Sequence, residues 1–209
     1  MADGIGALAR TAARLGRAAG RRKPGARRLP HLYFLTDPAR TPHPARVMRL
    51  LPRGAAVIYR AFGRADLLEQ AAALRALARA RGLVFLVGAD ARLAARLRAD
   101  GVHLPERLMR LAPALRRRRP TWLITVAAHD QRAVARAARL GLDAALVSVV
   151  FPSRSPSAGR AMGPLRFAAR ARGAGLPVIA LGGVDARTAP RLLGTGAHGL
   201  AAIGGFAEA

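Results

Sequence analysis

From residue 31 onward, short apolar runs alternate with longer stretches whose apolar residues recur at helical spacing. The runs are 31–36, 55–59, 83–87, 101–104, 122–127, 143–150, 177–182 and 198–203. A short run with no polar alternation reads as a strand buried on both faces. Between the runs, 66–81, 91–99, 130–140, 164–174 and 186–194 read as helices. Leu67, Leu68, Ala71, Leu74 and Ala78 carry the 3.6-residue period most clearly. Asp66 and Asp185 stand where helix N-caps are expected. Strands that alternate with helices predict a parallel α/β sheet. Eight such repeats in 209 residues favour closure into a single (β/α)8 TIM barrel.

Residues 1–30 read differently, as a basic N-terminal helix and linker ahead of a barrel over 31–209. Ile5, Leu8, Ala12, Leu15 and Ala19 share one helical face, and Arg21 to Arg28 form a basic stretch broken by Pro24 and Gly25. The sequence leaves no room after the eighth run for a full eighth C-terminal helix. The N-terminal helix is therefore expected to cover the strand pair left bare.

The last two runs add chemistry. Pro177 to Val184 contains Gly182-Gly183, and Gly199 onward ends at Ile203-Gly204-Gly205. Glycines directly after buried strands let backbone approach a ligand closely. Glycine-rich loops after the last two barrel strands are a recurrent phosphate site.

Composition narrows the picture. There are no cysteines, which excludes disulfides, thiolate metal sites and cysteine nucleophiles. No segment approaches the ~18 apolar residues of a membrane helix, so the expectation is a cytoplasmic protein with no membrane partner. The net charge is +25, with Lys23 the single lysine. Because the arginines are spread along the chain, they read chiefly as solvated helix faces, with weak, salt-sensitive polyanion binding as a by-product. Aromatics are 4%, too few for base-stacking platforms.

Several segments in register resemble the thiamine-phosphate synthase/TenI family. They are Leu32 to Asp37, Ala99 to Leu104, His129 after the fifth run, Phe151-Pro152-Ser153, Pro177 to Val184, and Gly196 to Ile203. The resemblance implies a (β/α)8 barrel. It also implies an enzyme that joins hydroxymethylpyrimidine diphosphate to thiazole phosphate and releases pyrophosphate, with Mg2+. The implied partners are small phosphorylated thiazole and pyrimidine ligands, and a homodimer is one assembly open to it. Two alternatives stand beside this reading. One is a TenI-type thiazole tautomerase, with His129 moving the proton and no cofactor. The other is a non-catalytic barrel that binds a phosphate ligand.

The sequence departs from the family pattern at the reacting positions. Ile58-Tyr59-Arg60-Ala61-Phe62 stands where the family carries Gln-Leu-Arg-Glu-Lys, so Arg60 alone is retained. Gly88-Ala89 stands where Asn-Asp is usual, with Asp90 one residue on, and Glu106 is the nearest acid to the second metal position, which falls on Leu108. Ser153, Arg154 and Ser155 stand in a loop that usually carries threonines and a lysine. The resulting candidates are Arg60 and His129 for catalysis. Arg154, Ser153, Ser155, Gly182, Gly183, Ile203, Gly204 and Gly205 are candidates for phosphate and substrate. Asp90 and Glu106 are candidates for Mg2+. His103, inside an apolar run, reads as a core residue.

Overall fold

The computed structural model describes residues 2–19, 28–60, 67–153 and 159–206. Eight parallel strands close into a barrel in sequence order: β1 (Leu32–Leu35), β2 (Ala56–Tyr59), β3 (Val84–Gly88), β4 (Gly101–Leu104), β5 (Leu123–Ala128), β6 (Ala144–Val147), β7 (Val178–Ala180) and β8 (Gly199–Ala202). Each strand falls on one of the eight apolar runs, to within a residue at either end of β3 and β5. The surrounding helices are α1 (Ala2–Ala18), α2 (Pro44–Leu50), α3 (Leu67–Arg81), α4 (Ala91–Arg96), α5 (Ala112–Arg118), α6 (Gln131–Arg139) and α7 (Gly163–Arg172).

The strands are almost entirely apolar because alternate residues face two different cores, with His103 on β4 and Thr125 on β5 as buried polar exceptions. On β1, Leu32 and Phe34 join the outer layer beneath the helices, whereas Tyr33 and Leu35 join the barrel interior. Ile58, Leu86, Leu146, Ile179 and Ala201 continue the interior from other strands. Burying each large side chain stabilises the fold by roughly 1.5–3 kcal/mol.

Helix α1 buries Ile5, Leu8, Thr11, Ala12 and Leu15 and packs on β8, β1 and the 3-10 turn Ala189–Leu192. It occupies the place an eighth helix would take. Ala19 lies beyond the helix end and is exposed, so the apolar face is one residue shorter than its sequence pattern.

The helix expected over 186–194 is instead that 3-10 turn. The reason is local. Asp185 Oδ1 accepts the N–H groups of Arg187 (2.9 Å) and Thr188 (2.7 Å), and the Thr188 hydroxyl donates to Gly183 O at 2.9 Å. This closed turn uses up the residues of a first helical turn, and Pro190 and Gly194 leave no length to recover it. The expected cap at Asp66 lies outside the described residues. Two short helices, α2 and α5, have no clear apolar stripe in the sequence. Each carries proline in its first turn.

At the N-terminal end of the barrel two carboxylates tie neighbouring strands. Asp100 Oδ2 accepts the Phe85 N–H and Asp143 Oδ2 the Ile124 N–H, both at 2.7 Å, and Arg75 and Arg116 neutralise them. Among the described residues no helix is long and apolar enough to cross a membrane.

Candidate functional site

The alternation along the strands sets which residues reach the C-terminal mouth. Two positions beyond the interior residues Ile58, Leu86, Leu146, Ile179 and Ala201 stand Arg60, Gly88, Ser148, Leu181 and Ile203. Charged or polar groups at this end of a barrel are where its chemistry is done.

Arg60 is the most firmly held of them. Its Nε donates to Thr36 O at 2.7 Å, its Nη2 to Asp37 Oδ2 at 3.2 Å, and its backbone N–H to Thr36 Oγ1 at 2.9 Å. Its side chain is 23% exposed. Burial pushes its pKa down to about 10, opposed by Asp37 and aided by the charge of Arg40. A Cβ at position 88 would stand 3.2 Å from Arg60 Cγ and 3.1 Å from Tyr59 O, so glycine there makes room for the arginine stem. His103 is buried, with Nδ1 3.0 Å from Thr125 Oγ1. Burial, reinforced by the Arg60 charge, lowers its pKa to about 3. It is a neutral core residue, as its sequence context predicts.

Across the mouth, His129 is exposed at the end of β5. Its backbone N–H donates to Glu106 Oε2 at 3.3 Å, and its Nδ1 lies 3.4 Å from Ser148 Oγ. Arg170 Nη1 donates to the His129 carbonyl at 3.0 Å. A cleft of about 570 Å³ opens beside this group, lined by Glu106, Arg107, Met109, Arg110, His129, Asp130 and Arg136. It shares none of the β7 and β8 glycines.

Asp90 caps α4 through Oδ1, which accepts the Leu93 N–H at 2.9 Å. Asp90 and Glu106 follow the paired strands β3 and β4, and each has one carboxylate oxygen outside the bonds just described. Among the described residues no three His, Asp or Glu side chains converge as a metal site. Two hard carboxylate oxygens nevertheless suit Mg2+, which commonly completes its shell with water and substrate phosphate.

The strand ends of β6 and β7 are stitched together. Val150 N–H donates to Leu181 O (3.0 Å) and Phe151 N–H to Gly182 O (2.9 Å). Gly182 and Gly183 have φ of +94° and +62°. A Cβ on Gly183 would collide with the carbonyls of Phe151 and Pro152, and one on Gly205 with that of Val184. The close approach these glycines permit is thus between neighbouring loops. Gly204, by contrast, faces open space, where a Cβ would meet nothing within 4 Å. Ser153 ends the described part of the β6 loop. The candidates Arg154 and Ser155 lie outside the described residues.

The structure therefore brings Arg60 to Asp37 and Glu106 to His129, and joins the Gly182-Gly183 loop to the β6 end. Sequence reasoning passed over Asp37 as a working group, although it lies in the Leu32–Asp37 segment, and gave no role to Arg40, Ser148 or Arg170. Arg40 meets Asp37 locally, three residues on, whereas the contacts of Asp37 with Arg60, Ser148 with His129 and Arg170 with His129 form only in the fold.

The family model described as thiamine monophosphate synthase matches residues 32–206. A thiamine-phosphate synthase of Chromobacterium violaceum is 40% identical over 144 residues, spanning 68% of this chain and 69% of the relative. One from Thioalkalivibrio sulfidiphilus is 37% identical over 166 residues, spanning 77% and 78%. The solved thiamine phosphate pyrophosphorylase of Pyrococcus furiosus superposes with a TM-score of 0.71 at 27% identity, covering 82% of this chain and 84% of that one.

Proposed function

Given that the chain belongs to the thiamine monophosphate synthase family over residues 32–206, we propose that it is a thiamine-phosphate synthase. It joins hydroxymethylpyrimidine diphosphate to thiazole phosphate and releases pyrophosphate. In that reaction the C–O bond between the pyrimidine methylene and the diphosphate breaks. A C–N bond to the thiazole nitrogen forms, and the diphosphate carries the electron pair away. The protein's task is to stabilise negative charge as it gathers on the leaving group.

Arg60 carries this reading. It is a largely buried guanidinium at the mouth, fixed by Thr36 and Asp37 before substrate arrives. A pre-oriented cation loses little freedom on meeting a diphosphate, and arginine matches phosphate oxygens with paired N–H donors. Gly204 leaves open space at the β8 end, where backbone can face the thiazole phosphate. Ser153, with Arg154 and Ser155 beyond it, is the third anion contact in this reading. Asp90 and Glu106 would hold Mg2+, which when bound adds positive charge against the diphosphate. His129, exposed and beside Ser148, lies at the rim and is assigned a supporting role in orienting substrate.

Incubation with both substrates and Mg2+, with detection of thiamine phosphate by mass spectrometry, tests the proposal. Product that vanishes with EDTA and needs more Mg2+ in Asp90→Asn is the expected result. The asparagine keeps an acceptor for Leu93 N–H, so a shift in metal demand is not a loss of the helix cap. A folded protein that makes no product, but isomerises the thiazole phosphate without metal and loses this on His129→Ala, would establish the tautomerase instead.

A further inference from the structure

The turn after β1 holds a second arginine against the carboxylate that anchors Arg60. Arg40 donates from Nη2 to Asp37 Oδ2 at 2.7 Å and from Nε to the same oxygen at 3.2 Å. Arg60 Nη2 reaches that oxygen too, at 3.2 Å. One carboxylate oxygen therefore serves two guanidiniums, and the triad carries a net charge of +1. Its members are only partly exposed, at 27% for Arg40, 23% for Arg60 and 15% for Asp37.

The turn itself is closed rather than loose. Asp37 Oδ1 accepts the N–H groups of Ala39 and Arg40, both at 3.1 Å. Thr41 N–H donates to Asp37 O at 2.7 Å, and the Thr41 hydroxyl accepts the Asp37 N–H at 3.0 Å. Arg40 is thus folded back on its own turn against the carboxylate that Arg60 also touches, and its Nη1 has no partner among the described residues.

A lone surface ion pair has little consequence. Two cations on one anion is a different arrangement. Their mutual repulsion contributes to the lowered pKa of Arg60, and an added anion beside them would offset it. Two partly desolvated guanidiniums that share one carboxylate oxygen beyond the ends of adjacent strands fit a ligand with several adjacent phosphate oxygens.

We infer that Arg40 is a second diphosphate-binding residue, and that Asp37 is a positioning residue holding Arg40 and Arg60 side by side as a two-arginine clamp. This rests on the synthase reading and deepens it by naming the residue that shares the leaving group with Arg60.

Inorganic diphosphate is the probe, titrated calorimetrically into the full-length protein with Mg2+ and followed as a product inhibitor. Arg40→Gln should weaken its binding about tenfold or more, the loss expected for charge-assisted hydrogen bonds, with Arg40→Lys recovering part of it. Melting should stay within a few degrees of the parent. In turnover, Arg40→Gln should raise the KM for the pyrimidine diphosphate and leave that for the thiazole phosphate unchanged.

Asp37→Asn separates positioning from charge. Removing a negative charge beside an anion site should tighten binding if charge alone matters, whereas loss of the clamp geometry should weaken it. Tighter binding in Asp37→Asn overturns the positioning role. Parent-like affinity in Arg40→Gln, with affinity lost in Arg60→Ala, overturns Arg40 and leaves the synthase reading standing. No diphosphate binding and no product in the parent protein overturns both.

Discussion

Arg60 answers three demands at once. It fills space left by Gly88, satisfies the Thr36 carbonyl, and presents positive charge at the mouth. Its removal should therefore be felt in chemistry before stability. Arg60→Ala is expected to lower kcat/KM about a hundredfold, the scale of losing one pre-oriented donor set at a developing charge. Arg60→Lys should recover only part of this, because an ammonium cannot reach Thr36 O, Asp37 and a phosphate oxygen together. Steady-state kinetics with thermal melts as a control checks both. Equal activity in Arg60→Ala would remove Arg60 from the mechanism.

Among elements, α1 does what sequence position would not suggest. The first helix of the chain covers the joint between the last strand and the first. Phe206 completes that joint, packed edge-on against Phe34 at 5.3 Å between ring centres. Leu8, on the packed face of α1, is fully buried. Leu8→Ala should cost about 2–5 kcal/mol, and deletion of residues 1–25 should lower solubility and the melting temperature. Denaturant unfolding gives the number for Leu8. Unchanged melting on deletion would show that α1 is dispensable to the barrel. The β6–β7 loops follow a similar logic, since Gly183 is needed by its neighbours' carbonyls as well as by its own φ.

Across the whole molecule, electrostatics and stability meet at His103. In the unfolded chain its pKa is the ordinary 6.5, whereas burial and the Arg60 charge lower it to about 3 in the fold. Between those values the unfolded chain binds a proton that the folded one rejects. Stability is thus fully present above pH 6.5 and falls as pH drops, by at most about 1.4 kcal/mol per unit from this group. His103→Gln should flatten that slope in parallel denaturation series at pH 7, 6 and 5. Identical slopes would mean that His103 is protonated in the fold at the same pH as when unfolded.

The sequence by itself determined the architecture. Strands buried on both faces are apolar at nearly every position, so the eight runs from Leu32 to Ala202 were visible without any contact being known. The same holds for α1, whose stripe from Ile5 to Leu15 is a local period, and for the family motifs, which are contiguous words. The segment after Asp185 misled because a side chain closing on its own backbone competes with a helix, and periodicity carries no trace of that competition. The site was legible only in part. Arg60 and the glycines could be singled out, but Asp37 and Arg40 acquire meaning only when the ends of β1 and β2 lie side by side. Likewise Glu106 and His129, 23 residues apart, meet through the pairing of β4 with β5. Folding settles such pairings because charge and hydrogen bonding act through a few ångströms of space, whatever the separation along the chain.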